Sequence, residues 1–479
     1  MSIKKSYHLF TVLVLFVVLI STVSSCRKEG LYTGNDAVLN FSVDTLQFDT
    51  VFTTVGTVTR NFRIENTTNN TLLLDINLKN LDGLNTFRIN IDGVSGTDFT
   101  NVEIPAKDYI YAFAEATIDY GNTNNPFIIS DAIEYKYNNT IQNSYLQAWG
   151  QDAYFHSGIL RSADSIWTND KPHVIVRTGW FAGFGVDTFS TLTIEPGCKI
   201  YTTFGAGLYV DGELYIGEAG NQEQVTFQSD RVETLQNGIG FEDKAGLWRG
   251  IVLFSGSKAK IYNTSINQAT IGIQGRLHDN ISVLIDDLAR PDILLDKVEI
   301  KNSSQNGFIA INCKSTVTNS LFYGSGSQTV AFALGGEATF DNCTIYNNGT
   351  SGSDDSEALI LSNFVQTRIG EAGLNHLEKA DFTNTIIHGS SEEKLAFSKD
   401  IQVDFNYSFT NCLLKTQLEA EGGFTDCVFN QDPKFEDISL DDFHLQDNSP
   451  CINVGFDNSI LEDFYFSPRA QFDIGAVAY

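Results

Sequence analysis

The chain has 479 residues and carries 59 acidic against 31 basic side chains, a formal charge of −28. That balance excludes a nucleic-acid partner, because holding phosphates demands the opposite sign. With 39 Gly and one Met, it describes a turn-rich β protein, and no segment has the 3.6-residue periodicity of a long helix.

The first 25 residues read as an export signal. Lys4 and Lys5 open it, and residues 9–20 supply an apolar run too short for an ordinary membrane span. The sequence Val23-Ser24-Ser25-Cys26 then resembles a bacterial lipoprotein box. The resemblance implies that Cys26 becomes the first mature residue and carries acyl chains. Several such chains anchor a protein stably where one does not. Arg27 rather than Asp after the Cys implies the outer membrane, at its cell-surface or its periplasmic face. An ordinary signal with an incidental Cys is the alternative. Losing residues 1–25 removes Lys4 and Lys5 and no acid, so −28 becomes −30. Such acidity favours solubility and is compatible with Ca²⁺ sites; no other cofactor is implied.

Residues 26–37 read as a tether and residues 38–150 as a first domain. TVTRNFRIENTT, TLLLDINL, FRINIDG and YIYAFAEATIDY alternate at period two between Asn-, Gly- and Asp-rich turns. About seven strands in this length predict an antiparallel β-sandwich. The segment has no Cys, which excludes an antibody-type bridge. Residues 48–78 resemble immunoglobulin-like domains in which a TVxxG turn precedes an IxNxT strand end, implying a spacer or adhesion module. Asp44-Thr45-Leu46, Asp49-Thr50-Val51 and Asp164-Ser165-Ile166 match the tripeptide that carries O-glycans in exported proteins of Bacteroides-like bacteria. Residues 151–170 are expected to form a linker.

Residues 171–479 repeat one pattern: apolar, spacer, Asn or Asp, small residue, apolar. It reads IYNTSI, VTNSLF, FDNCTI, FTNTII, FTNCLL and FTDCVF, with the key residue at Asn263, Asn319, Asn342, Asn384, Asn411 and Asp426. The 23-residue step from 319 to 342 suits one coil of a solenoid; steps of 56, 42, 27 and 15 suit two coils, a coil with an insertion, a long coil and a short one. Asn tolerates a left-handed backbone and so bends the chain sharply between two short strands. Alternation turns Phe340, Cys343 and Ile345 inward. Stacked coils bury together what one coil cannot, with Ile261, Val317, Phe340, Phe382, Phe409 and Phe424 forming one internal column. A leucine-rich horseshoe lacks support because the LxxLxLxxN spacing is missing. The prediction is an all-β chain, a sandwich followed by a parallel β-helix. LTIEPGCKIY, GLYVDGELYIG, GLWRGIVL and the endings NSPCINVGFD and FDIGAVAY resemble bacterial right-handed parallel β-helix repeat proteins of the pectin-lyase-like kind. That resemblance implies the fold, while many chemistries share it.

Six Cys follow Cys26, at 198, 313, 343, 412, 427 and 451. Cys343, Cys412 and Cys427 share an inward position with Thr264, Ser320 and Thr385, so the slot wants a small side chain and buried free thiols are expected. A Cys412–Cys427 bridge between coils is the alternative.

β-Helix proteins often cut acidic polysaccharides. A lyase needs carboxylates for Ca²⁺ and a base for the proton, and a hydrolase needs paired carboxylates. The densest cluster is Arg276, His278, Asp279, Asp286, Asp287, Arg290 and Asp292, expected in a charged loop. No outward acid recurs at coil spacing beside it, so it is assigned no catalytic residue and is kept as a candidate ligand contact. Asp354, Asp355 and Glu357 read as a polar loop. Trp180, Phe181 and Phe184 either stack on sugar or, as we prefer, cap the first coil. His156, His173, His376, His388 and His444 lack metal-ligand spacing and read as surface or locally satisfied groups. Two functions remain. One is a lipid-anchored binding or structural protein contacting polysaccharide or another surface protein along the β-helix. The other is a polysaccharide lyase or glycoside hydrolase.

Overall fold

The computed structural model describes residues 30–34, 37–52, 57, 59–81, 85–117, 127–178, 182–231, 241, 244–277, 285, 289–348, 356–366 and 372–479. Cys26 and the residues 1–25 expected to form an export signal lie outside them. The chain divides into two units, Met1–Asp152 and Ala153–Tyr479, and among the described residues no helix is long and apolar enough to cross a membrane.

The first unit is a β-sandwich of two five-stranded sheets. One runs, edge to edge, Leu39–Phe41, Arg60–Asn66, Tyr109–Ala116, Phe87–Ile91, Val94–Gly96; the other runs Thr45–Phe52, Thr140–Gln151, Phe127–Tyr137, Leu72–Leu78, Asp98–Ile104. These ten strands exceed the seven expected, since short pieces such as Val94–Gly96 are too brief to show alternation in sequence. Thr45–Phe52 pairs in parallel with Thr140–Gln151. Period-two patterning does the sorting: Ile110, Ala112, Ala114 and Ala116 are buried while Tyr109 and Tyr111 face water. Phe62, Ile64, Leu74, Ile76, Tyr135 and Leu146 meet in the core, where the Tyr135 hydroxyl is satisfied by Ser144 at 2.8 Å.

The second unit is a parallel β-helix with three strands per coil. The first coil consists of Tyr154–His156, Gly158–Leu160 and Asp164–Trp167, each in parallel register with the next coil's His173–Ile175, Gly183–Val186 and Thr191–Ile194. Residues 151–170 are therefore not a linker. Three- and four-residue strands leave no room for a readable period, and their pairing is entirely with another coil. We call the stacks begun by these three strands the first, second and third sheets.

The left-handed bend joins the third sheet to the first. Asn263, Asn319, Asn342, Asn384, Asn411 and Asp426 all have φ between 38° and 51°. The 56-residue step holds one more coil, in which Lys297 (φ 55°) takes the Asn position. The expected column is in register, running Trp167, Ile194, Ile216, Ile261, Leu295, Val317, Phe340, Phe382, Phe409, Phe424. Successive rings from Phe340 to Phe424 lie 5.0, 4.8 and 5.3 Å apart, the spacing of adjacent strands. Where coils crowd at a corner, only Gly fits: a Cβ on Gly250 (φ +105°) would fall 1.6 Å from the Ile271 carbonyl oxygen.

The small slot after each bend has a requirement beyond size. Thr264, Ser320, Cys343, Thr385, Cys412 and Cys427 each donate to the carbonyl two residues back, over 2.7–3.5 Å. In four of these turns the same carbonyl (Asp341, Thr383, Thr410, Thr425) also accepts the bend N–H of the coil before it, so the slot side chain adds a second donor to a carbonyl already in the ladder. All six cysteines of the described chain are free.

Residues 433–479 double back over the first sheet. Phe435, Phe443, Leu445, Cys451, Phe464 and Ile474 pack on the outward Leu321, Tyr323, Tyr346, Ile386 and Leu413. The bend residues fasten this strap. Asn384 Nδ2 donates to the Phe456 carbonyl (2.7 Å) and its Oδ1 accepts from Phe456 N–H (2.6 Å); Asn411 Nδ2 reaches the Val454 carbonyl (2.9 Å). Arg469 donates to Asn319 Oδ1 (3.1 Å), and Lys297 Nζ donates to the Asp463 carbonyl.

Candidate functional site

Of the seven residues of the 276–292 cluster, His278, Asp279, Asp286 and Asp287 lie outside the described residues. The other three are not a solvated loop. Arg276 is 0% exposed, in a left-handed bend (φ 61°) just after Ile273–Gly275. Its Nε donates to Ser255 Oγ and one terminal nitrogen to the Asn312 carbonyl, both at 3.2 Å. A corner between stacked coils leaves carbonyls facing inward, and a guanidinium offers enough donors to satisfy them. Arg290 spans several coils: Nε donates to Asn312 Oδ1 (2.7 Å), and its terminal nitrogens meet Glu378 (2.8 Å) and Glu337 (3.5 Å). Asp292 opens a third-sheet strand, in register with Lys258 below and Lys314 above.

That register exposes a feature the sequence reading missed. Along the outward face of the third sheet, one column reads Glu213, Lys258, Asp292, Lys314, Glu337, Lys379. Charge alternates at every rung. A second column reads Asp296, Thr318, Asp341, Thr383, Thr410. Acids therefore do recur outward beside the cluster, but at two-coil spacing and interleaved with Lys or Thr. Some of these acids bond to the next rung, Glu213 with Lys258 at 3.0 Å and Asp296 with Thr318 at 2.7 Å; in the position between the columns, Asp381 accepts from Ser408 at 2.7 Å. The Tyr215 hydroxyl and then Lys258 hold the Glu213 carboxyl below its ordinary range, while burial pushes Asp341 up. The signal lay in residues 22 to 45 positions apart, which become neighbours only once coils are threaded.

Among the described residues, the histidines other than His388, whose buried Nδ1 has no hydrogen-bond partner, are locally satisfied. His156 Nε2 and His173 Nδ1 are 2.8 Å apart, His173 Nε2 donates to the Thr168 carbonyl (2.8 Å), and both rings stack on Trp167. Burial holds the His156 pKa down to about 3 and lowers His173 as well. Phe184 joins this cluster from the second coil, where it pairs with Gly158 on one side and Leu208 on the other and packs in the core, so it is not the expected cap; Trp180 and Phe181 lie outside the described residues. His376 pairs with Asp404 (2.9 Å) and His444 with Asp442 (2.6 Å). Burial brings His388 to about 4. Glu357 accepts from Gln328 (3.1 Å), and Asp354 and Asp355 are outside the described residues. Burial raises the Cys198, Cys313 and Cys451 thiols to about 12, so they are inert packing groups. Among the described residues no group of three or more His, Cys, Asp or Glu is placed to hold a metal ion.

No protein-family description matches the chain, and no curated protein matches it in sequence. Solved structures similar to it include a family 123 glycoside hydrolase from Clostridium perfringens, studied for glycolipid glycan hydrolysis. The identity is 10%, with 26% of each chain covered and a TM-score of 0.17. Another is the catalytic domain of a family 87 α-1,3-glucanase in complex with nigerose, at 12% identity over 77% of this chain and 87% of that one, with a TM-score of 0.15. These neighbours are glycoside hydrolases, and likenesses this distant carry no argument about activity.

Proposed function

We propose that the chain is a lipid-anchored outer-membrane protein that contacts glycan or another surface protein along the exposed third sheet of its β-helix, without cleaving it. One observation carries the reading: carboxylates of that sheet stand in register with Lys, Thr or Ser of a neighbouring rung, and Glu213, Asp296 and Asp381 bond to theirs, at 3.0, 2.7 and 2.7 Å. A catalytic acid or a Ca²⁺ ligand must be free to change partner, whereas a regular polar ladder suits contact with a long, repeating surface. The commitment of Arg276 and Arg290 to the corners supports the same reading.

Two measurements test it. The whole chain is incubated with polymeric pectin, alginate, glucans and glycosaminoglycans, with and without Ca²⁺, following both co-sedimentation and release of unsaturated uronides or reducing ends. Retention without release is expected; release would replace the reading with a lyase or hydrolase, and the lack of any polysaccharide or protein partner would remove it. Separately, Cys26→Ala is expected to move the protein from the membrane to the soluble fraction and abolish acyl labelling.

A further inference from the structure

The outward face of the first sandwich sheet holds a row of aromatic rings. Tyr109, Tyr111 and Phe113 occupy alternate positions of one central strand, and both tyrosines are 42% exposed. Their centroids lie 5.5 and 6.1 Å apart, and the Arg63 guanidinium sits 5.2 Å over Tyr109. Both strands beside the row present polar groups in register. Arg63 lies opposite Tyr111 and Glu65 opposite Tyr109; on the other side Asn90 lies opposite Phe113 and Arg88 opposite Glu115. The row ends in a cleft at each side. One, of about 780 Å³, is lined by Phe113, Arg88, Asn90, Ser95 and Glu115. The other, of about 380 Å³, is lined by Tyr109, Arg63, Glu65, Lys107, Asn40 and Ser42.

We propose that this face binds a single, soluble, uncharged glycan chain, its sugar rings lying on Tyr109, Tyr111 and Phe113 and its hydroxyls meeting the flanking Arg, Asn and Glu groups. Aromatic faces recognise the apolar C–H faces of pyranoses, and amphipathic rings are common where one side of a contact is wet. Charge points to a neutral ligand. In a chain of net −28, the two clefts together present Arg63, Arg88 and Lys107 against Glu65 and Glu115, so neither a polyanion nor a polycation is favoured. Ring geometry narrows the class further. Tyr109 and Tyr111 are at 87° to one another and Tyr111 and Phe113 at 38°, so a flat crystalline surface cannot lie on all three, whereas a twisted single chain can. The inference shares with the proposed function the reading that this protein contacts glycan, and places a site in the sandwich, apart from the solenoid sheet.

The experiment titrates the whole chain calorimetrically with cellohexaose, xylohexaose, laminarihexaose and maltohexaose. At least one is expected to bind, with an affinity unchanged between low and high salt. The Tyr109→Ala/Tyr111→Ala double variant is expected to lose at least about tenfold, while Tyr109→Phe/Tyr111→Phe retains most of the affinity. The phenylalanine pair guards against misfolding, since it keeps the packing. Binding that survives the alanine pair overturns this site and leaves the solenoid reading standing. Failure of all four hexasaccharides at millimolar concentration overturns the site, while co-sedimentation of the Tyr109→Ala/Tyr111→Ala variant with the polymers decides the solenoid reading separately.

Discussion

Asn384 shows how much one residue does here. Its backbone bends left-handed (φ 49°), and its amide makes two hydrogen bonds to Phe456 of the strap. These roles separate by substitution. Asn384→Gly keeps the bend and loses the amide; Asn384→Ala loses the amide and adds left-handed strain of roughly 1–2 kcal/mol. Alanine is therefore expected to be the less stable variant in urea unfolding by about 1 kcal/mol, after allowing for the greater unfolded-state freedom of Gly. Equal stabilities would show that the bend carries no strain. Only the first role was legible, because the Asn pattern is local, whereas Phe456 is 72 residues away. Lys297 was not legible either: it takes an Asn position, and what fits it there is contact with the strap, through the Asp463 carbonyl and the Phe466 ring at 4.5 Å.

His156 and His173 carry a pH prediction. Both pKa values are lowered by burial, His156 to about 3. Above about pH 6.5 the rings are neutral in folded and unfolded chains alike, so this contribution is fully present. As pH falls below 6.5 the unfolded chain takes up protons that the folded chain refuses, and stability drops by as much as roughly 1.4 kcal/mol per pH unit per group until the folded pKa is reached. Thermal melts between pH 6.5 and 5, above most carboxylate titration, are expected to show this slope in the native protein and a shallower one in His156→Phe. Parallel slopes would refute it.

At the scale of strands and sheets, the alternating column of the third sheet is a pairing device. Parallel strands at about 4.8 Å place like residues on top of one another, so a column of one charge would repel along its whole length. Glu213, Lys258, Asp292, Lys314, Glu337 and Lys379 avoid this by alternation. Asp292→Lys would set three lysines on consecutive rungs. The melting temperature is expected to fall at low salt and to recover largely in molar NaCl, because exposed charges are screened; Asp292→Asn should fall less. A drop independent of salt would point to packing instead. The sequence made the inward columns legible and left the outward ones hidden. Inward positions repeat the same residue type, as Phe340, Phe382 and Phe409 do, whereas outward positions alternate opposite types and cancel any self-similarity. The first coil was hidden for a related reason. Its strands pair only upward with His173–Ile175, Gly183–Val186 and Thr191–Ile194, and nothing local marks them.

For the solenoid unit as a whole, stability turns on whether the strap is ornament or structure, and magnitudes decide it. The strap covers Leu321, Tyr323, Tyr346, Ile386 and Leu413, all outward on the first sheet yet buried. At roughly 1.5–3 kcal/mol for each large apolar side chain taken from water, five of them amount to about 10 kcal/mol. That equals the whole net stability of a typical domain. A chain ending at residue 432 is therefore expected to expose a contiguous apolar stripe and to self-associate in light scattering, since uncovered apolar patches of this extent drive association. A milder variant keeps the idea testable if the truncated chain fails to accumulate. Phe443 is buried in the strap, with ring centroids 4.8 Å from Tyr323, 5.1 Å from Phe435 and 5.9 Å from Tyr346. Phe443→Ala is expected to cost about 3–5 kcal/mol in urea unfolding, and to speed proteolysis within residues 433–479 before the coils are cut. Cleavage of the coils first, or a cost below about 1 kcal/mol, would mean that the coils hold without their cover. The outward apolar residues of the first sheet would then need another reason to be apolar.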